Sequence, residues 1–272
     1  MIVWLASYPK SGNTWIRSLI ANYLSNNEGN PLENIYKIKS FPKPFYFKNL
    51  VKEDLIKKDP IQLFKYFIPA QKILNKDNKF HILKTHNVWG SIRGHEFSNK
   101  QNSVGAIYVV RDPRAIAVSQ AFHQNISFEE SVNLLLNENR ITPDLKIYYE
   151  ARSSWGNNVI SWFNSPLSKL KIRYEDLTED PERHLREILK FLNFFLEKKI
   201  PIIDNKIKET IKICSFKNLS INERKYGFKE RMGDAYFFRK GIKDDWKTNL
   251  SSELIKKIEK KYKKEMIKLN YL

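Results

Sequence analysis

The chain opens on an apolar run, Ile2-Val3-Trp4-Leu5-Ala6-Ser7, of strand type, followed at once by a polar loop, Tyr8-Pro9-Lys10-Ser11-Gly12-Asn13-Thr14. From Ile16 the period changes: Ile16, Leu19, Ile20, Tyr23 and Leu24 fall on one face of a helix. Phe80 to His86 is a second short strand, and Ala106 to Val110 is the clearest strand in the chain. After it, Asp112 supplies an N-cap and Pro113 the first helical position for a helix running through Ala117, Val118 and Ala121. Ser127 to Glu130 is a capping box that predicts a helix to about Asn139. Trp155, Val159, Trp162 and Phe163 mark a packed helix, and Lys169 to Leu177 reads as strand then turn. Asp180-Pro181 starts a helix with Leu185, Ile188, Leu189 and Leu192 on one face, and Ile203 to Ile213 is helical by its Ile spacing. The last helix, from about Ser252, puts Ile255, Ile258, Tyr262 and Met266 inward.

Between these elements lie stretches with no clear period. Asn26 to Asn30 is a polar break. Residues 31–50 set Pro31, Pro42 and Pro44 among Tyr36, Phe41, Phe45, Tyr46 and Phe47, a composition poor at regular structure that suits a packed loop or one wall of an apolar pocket. Residues 51–75 read as one or two helices punctuated by Pro60 and Pro69. Ile141 to Glu150, with Pro143 and Tyr148-Tyr149, reads as loop or short helix. No repeat or linker divides the 272 residues, so residues 1–272 are read as one domain.

The first loop carries the sharpest chemistry. A strand, a tight polar loop and a helix N-terminus make an anion site, because free backbone N–H groups point outward and the helix dipole favours negative charge. Against the Walker pattern G-x-x-x-x-G-K-[ST], Gly12 and Thr14 fit, Ser7 replaces the first Gly and Asn13 replaces the Lys. The cation stands earlier, at Lys10. A nucleoside triphosphate with Mg²⁺ is therefore not the obvious ligand. A nucleotide whose reacting group carries less charge fits better. At the second strand, Lys84 and His86 are two residues apart and share a face. At the third, Arg111 ends the strand and Ser119 lies about two turns along the helix, a pair suited to gripping a phosphate.

Composition narrows the class. Net charge is +18, from 48 Lys and Arg against 30 Asp and Glu. Much of the excess is lysine on predicted helix surfaces, as at Lys256, Lys257, Lys260, Lys261, Lys263 and Lys264, and no compact basic-aromatic patch marks nucleic-acid binding. The single cysteine, Cys214, excludes an internal disulfide and fits a reducing, cytoplasmic setting. No apolar run reaches the ~18 residues of a membrane span. The strand beginning at Ile2 is read as leaving no leader ahead of the fold. No cluster of His, Cys and carboxylates has metal-ligand spacing, so no metal is expected.

Tyr8-Pro9-Lys10-Ser11-Gly12-Asn13-Thr14-Trp15 resembles the 5′-phosphosulfate loop of sulfotransferases that use 3′-phosphoadenylyl sulfate (PAPS). Four further segments resemble the same family in order: Lys84-Thr85-His86; Tyr108-Val109-Val110-Arg111-Asp112-Pro113-Arg114 through Ser119; Cys214-Ser215-Phe216, with Cys where the family has Thr; and Arg239-Lys240-Gly241 before Asp245-Trp246-Lys247, with Asp244 where Gly is usual. Tyr174-Glu175-Asp176-Leu177 adds a weaker match. The resemblance implies a P-loop-like α/β fold, a central parallel sheet flanked by helices on both faces, with ligand at the carboxyl ends of the strands. It implies His86 as general base, Lys10 against the leaving phosphate, and Lys84 and Thr14 on the sulfuryl group or 5′-phosphate. Arg111, Ser119, Arg239, Lys240 and Gly241 would hold the 3′-phosphate. Ser215 would touch the nucleotide, Trp15 and Phe216 would stack on adenine, and Tyr174 would approach it.

The expected reaction is sulfuryl transfer from PAPS, without metal, to a hydroxyl or amine of a small acceptor. The aromatics at 41–47 and 148–149 point to an aromatic or apolar one. A P-loop kinase-like phosphotransferase and a basic nucleic-acid-binding module remain as alternatives.

Overall fold

The computed structural model describes the chain apart from residues 53–59, 145–146, 233–234 and 240. Its central sheet has four strands: β1 (Ile2–Ser7), β2 (His81–Thr85), β3 (Ser103–Val110) and β4 (Ser168–Arg173), in the spatial order β2-β1-β3-β4. β2 runs parallel to β1, with Ile2 opposite His81 and Ala6 opposite Thr85. Helices flank this parallel sheet, giving the expected P-loop-like α/β class. Every residue of β1 is buried, as is all of β3 but Val104. Inner strands covered on both faces need unbroken apolar runs, which is why these two stand out in the sequence. The outer strands mix in Lys84, Lys169 and Lys171, which suits an edge.

The chain divides into two compact units. One comprises residues 1–8, 39–108 and 137–171 and contains most of the sheet. Its core is aromatic: the Trp4 ring lies 4.8 Å from Phe97 and 5.6 Å from Phe41, and Phe41 lies 5.2 Å from Phe67. The Trp4 indole N–H donates to Ser103 Oγ at 2.7 Å, so the largest ring keeps its polar atom satisfied. The other unit comprises residues 9–38, 109–136 and 172–272. It holds the helices Asn13–Leu24, Pro113–Gln124, Pro181–Phe195, Asp204–Ile213, Phe216–Tyr226 and Ser252–Lys268. As read, Asp112 accepts from Arg114 N–H and Asp180 from Arg183 N–H as N-caps, each with proline next in the chain. The lysines at 256, 257, 260, 261, 263 and 264 are exposed, and Ile258, Tyr262 and Met266 are buried.

Several expectations are corrected. The helix opened by Ser127 ends at Leu136, not Asn139. Leu24, placed on the inner face of the first helix, is 45 % exposed because it is the helix's last residue. Ile141 to Glu150 is a hairpin: Ile141–Asp144 pairs antiparallel with Ile147–Ala151, with a register shift between Thr142 and Asp144. Proline is tolerated at such an irregularity, and the β-branched and aromatic residues on either side favour strands. The stretch 39–41 is also more ordered than its prolines predict. Lys84 N–H donates to Lys39 O at 2.9 Å and Phe41 N–H to Lys84 O at 2.8 Å, so it lies along β2. That pins Phe41 and Phe47 in the core, fully buried, and removes both from any pocket wall. Of the helices read at 51–75, residues 53–59 lie outside the described residues; Pro60–Tyr66 is a 3₁₀ helix and Phe67–Asn75 an α-helix.

Candidate active site

The polar loop after β1 enters its helix through Gly12, whose φ of 101° is a left-handed conformation open to glycine at little cost. Trp15 and Ile16 N–H both donate to Gly12 O. A Cβ on Gly12 would lie 2.4 Å from Tyr174 Cδ2, so the ring of Tyr174 also requires the glycine. Lys10 adopts a positive φ of 65°, and its ammonium lies 3.9 Å above the centre of the Phe237 ring. Burial, then the Arg111 charge, bring the Lys10 pKa down to about 7 against the opposing pull of Glu230 and Glu223. Ser11 and Asn13 are buried. Thr14 Oγ1 donates to Glu230 Oε2 at 3.3 Å, and the same carboxylate takes Arg17 Nη2 at 2.7 Å.

The other residues read as nucleotide contacts belong to the same compact unit, residues 9–38, 109–136 and 172–272. The Arg111 guanidinium donates to Lys10 O at 3.1 Å and lies 4.3 Å from the Tyr174 ring centre. Ser119 is half-buried on the helix Pro113–Gln124. Trp15 donates through its indole N–H to Cys214 O at 2.9 Å and meets Tyr174 edge-on at 6.1 Å. Trp15 and Phe216 pack against one apolar cluster of Leu32, Ile35, Leu219, Phe228 and Phe238. Ser215 accepts from Asn218 N–H as the cap of the helix Phe216–Tyr226, so its hydroxyl already has a structural task. Cys214 is buried beside Ser18 and Asn22, and burial pushes its thiol pKa up to about 11. Arg239 pairs with Asp245 and lies 4.0 Å over the Phe122 ring. Lys240 lies outside the described residues. At Gly241, φ is +67° and an added Cβ would come 2.6 Å from Phe216 Cδ2. Gly241→Ala is therefore expected to displace Phe216 and weaken binding of 3′-phosphoadenosine 5′-phosphate (PAP) at least tenfold. Calorimetric titration reads that loss, and an unchanged affinity would remove this contact from the site.

Do these residues fit an adenine nucleotide bearing phosphates? The Ser11 hydroxyl and Arg111 Nε are buried with no hydrogen-bond partner among the described residues. Buried donors are ordinarily satisfied, so both mark a missing acceptor. The positive charge of Arg111 stands close enough to lower the pKa of Lys10. Orphaned donors, excess positive charge and a glycine-shaped loop fit phosphate oxygens.

In the first unit, His86 sits just beyond the end of β2. Its Nδ1 lies 2.8 Å from Ser7 O and 3.3 Å from Ser7 Oγ. A carbonyl only accepts, so Nδ1 carries the proton and Nε2 of the neutral ring keeps its lone pair. Burial, then the Lys84 charge, hold the imidazole pKa well below its usual value, with Arg152 adding to this and Glu150 opposing it. Glu150 and Arg152 are charged residues that the sequence reading did not single out. Glu150 is buried; Arg152 donates to its Oε2 from Nε at 3.0 Å and Nη2 at 2.7 Å. Burial raises the Glu150 carboxyl pKa, but Arg152, Lys84 and His86 outweigh it and leave about 2. Arg140, also missed, donates to the Tyr8 hydroxyl at 2.7 Å. Two charged residues two apart where a strand ends, Glu150 within it and Arg152 just beyond it, were the available signal.

Of the other histidines, His81 pairs with Asp77, His95 is exposed, His184 pairs with Glu187, and His123 lies edge-on to Phe237. Among the described residues no group of three or more His, Cys, Asp or Glu is placed to hold a metal ion. No described helix is long and apolar enough to cross a membrane.

The chain is 28 % identical to cytosolic sulfotransferase 13 of Arabidopsis thaliana over 97 % of its length and 76 % of that protein's. It is 26 % identical to flavonol 3-sulfotransferase of Flaveria bidentis, over 95 % of this chain and 79 % of that one. Among solved structures it resembles mouse sulfotransferase SULT7A1 complexed with PAP, with a TM-score of 0.61 and 19 % identity across 97 % of this chain and 83 % of that one. Retinol dehydratase in complex with androsterone and the inactive cofactor PAP follows at a TM-score of 0.60 and 19 % identity, over 97 % and 80 % of the two chains. The model of the sulfotransferase domain matches residues 2–270, and the chain belongs to that family.

Proposed function

We propose that this protein transfers a sulfuryl group from PAPS to a hydroxyl or amine of a small acceptor, with residues 1–272 acting as one sulfotransferase domain. As a member of the family it is a PAPS-dependent sulfotransferase. PAPS supplies the sulfuryl group and its adenylate portion leaves as PAP. The residues of this chain do the rest. His86 Nε2 takes the acceptor's proton, and Lys10 offsets the charge that builds on the leaving phosphate. Lys84 and Thr14 help hold the sulfuryl group or 5′-phosphate. Arg111, Ser119, Arg239, Lys240 and Gly241 hold the 3′-phosphate, Ser215 touches the nucleotide, and Trp15, Phe216 and Tyr174 face adenine. Donors already in place where charge develops are the main resource for such a transfer. The names of the cytosolic relatives support a cytoplasmic enzyme. The exposed lysines of the last helix support a solvated basic face rather than a nucleic-acid site.

The observation that carries this reading is the loop of Lys10, Ser11 and Gly12 beside Arg111, where buried donors lack an acceptor. The test is calorimetric titration with PAP, with ADP and ATP plus Mg²⁺ as controls. A clear preference for PAP without metal is expected. Preference for ATP–Mg²⁺ would indicate a kinase-like phosphotransferase, and salt-sensitive binding of polynucleotide alone a nucleic-acid module. Arg111→Ala should weaken PAP far more than adenosine 5′-phosphate. Equal weakening of the two would remove Arg111 from the 3′-phosphate site.

A further inference from the structure

Two of the residues read as nucleotide contacts stand at equivalent places in the sheet. Arg111 is the first residue after β3, and Tyr174 the first after β4, the strand beside it. Their side chains meet, with the guanidinium 4.3 Å from the centre of the Tyr174 ring. The residues that follow them also meet. Glu175 Oε1 accepts from Asp112 N–H at 3.1 Å, so the peptide leaving Arg111 is held by the carboxylate next to Tyr174. The other oxygen, Oε2, accepts from the Tyr271 hydroxyl at 2.9 Å.

Tyr271 lies beyond the helix Ser252–Lys268, yet it is only 9 % exposed and is fastened from three sides. Its N–H donates to Met266 O at 2.8 Å, its carbonyl accepts from Arg114 Nη2 at 2.8 Å, and the Arg173 guanidinium lies 4.8 Å from the centre of its ring. Arg114 in turn grips Asp112, donating from Nε to Oδ1 at 3.0 Å and from Nη2 to Oδ2 at 2.7 Å. Tyr271 thus reaches the segment 111–114 by two routes, through Glu175 and through Arg114. Burial raises the Glu175 carboxyl pKa, and the donors at Asp112 and Tyr271 oppose that rise. Arg111 itself has few polar anchors. It donates to Lys10 O at 3.1 Å and to Ile242 O at only 3.5 Å, and its Nε has no hydrogen-bond partner among the described residues. Where its guanidinium points therefore depends on where its own backbone and the Tyr174 ring stand, and Glu175 joins those two.

We propose that Glu175 and Tyr271 are positioning residues for Arg111: Glu175 fixes the Arg111–Asp112 peptide against the start of the helix Tyr174–Glu179, and the Tyr271 hydroxyl fixes Glu175. This rests on the reading of Arg111 as a 3′-phosphate contact. A guanidinium binds phosphate as a planar fork with two parallel bonds, and a fork that is displaced or turned loses one of them. The clasp keeps the fork aimed without touching the phosphate. It therefore governs discrimination between nucleotides that carry a 3′-phosphate and those that do not.

The test is calorimetric titration of the full chain with PAP and with adenosine 5′-phosphate, which lacks the 3′-phosphate. Tyr271→Phe removes only the hydroxyl; it should weaken PAP about fivefold, the scale of one net hydrogen bond, and adenosine 5′-phosphate less than about twofold. Glu175→Gln removes the charge as well and should weaken PAP about tenfold with the same selectivity. Added to Arg111→Ala, Tyr271→Phe should cost PAP almost nothing further, because the residue it positions is gone. A clasp that serves stability alone would lower the melting temperature and leave the ratio of the two affinities at its wild-type value. That result, or an undiminished effect of Tyr271→Phe in the Arg111→Ala background, overturns the proposal. Should Glu175→Gln not fold, Tyr271→Phe decides alone, since it keeps the ring and its packing. A wild-type chain that binds the two nucleotides equally refutes the reading of Arg111 and the proposal with it. A wild-type preference for PAP that both variants keep in full refutes the proposal alone.

Discussion

Replacing His86 by alanine should lower turnover by ~10²–10⁴-fold, the usual cost of losing a positioned general base, while leaving PAP affinity nearly unchanged. The separation follows from where the side chain is tied. Its Nδ1 proton is used on Ser7 O, and its neutral form is enforced by burial and by Lys84. The residues read as nucleotide contacts, Lys10 to Trp15, Arg111, Ser119 and Phe216, do not depend on the imidazole. The local backbone should survive the change, because Asn158 holds the carbonyl of residue 86 rather than its ring, and alanine keeps that carbonyl. Single-turnover measurement with PAPS and a small phenol, beside calorimetric titration with PAP, gives the two numbers. Turnover within about threefold of wild type would remove His86 from the base role.

Local signals in the sequence located the strands and caps because each is written in a few neighbouring residues. β1 and β3 are buried on both faces and so appear as unbroken apolar runs. Asp112-Pro113 and Asp180-Pro181 start helices by side-chain chemistry that acts over three residues. The misses share a cause. Phe41 and Phe47 sit among prolines that argue for irregular backbone, and only the hydrogen bonds to Lys84 across the sheet edge reveal that this irregular stretch is pinned into the core. Glu150 and Arg152 matter through Lys84 and His86, more than sixty residues away in the chain, and no window of sequence shows that pairing. The loop at Lys10 was legible for the opposite reason. Its lysine, glycine and helix N-terminus are contiguous, so the loop itself can be read from one short stretch. Within it, the engagement of Thr14 with Glu230 was not legible, since that carboxylate arrives from more than two hundred residues away.

Lys10→Ala is expected to damage binding and rate together, and a proton count should identify the cause. In the protein without nucleotide the ammonium is held at a pKa of about 7 by burial and by Arg111. A phosphate-bearing ligand at this loop favours the charged form and raises that value. Near pH 8, nucleotide binding should then take up close to one proton, and affinity should fall by up to about tenfold per pH unit above 7 until the ligand-bound pKa is reached. Below about pH 7 the ammonium is already formed and the dependence should vanish. Calorimetry in two buffers of different ionisation enthalpy counts the proton. Lys10→Ala should abolish the uptake as well as weaken PAP, which distinguishes loss of this cation from a general distortion of the loop. On rate, removing a donor that meets developing charge typically costs ~10²–10³-fold. An alanine variant that binds PAP with the same proton uptake as wild type would show that the titrating group, and with it the charge that meets the leaving phosphate, lies elsewhere than Lys10.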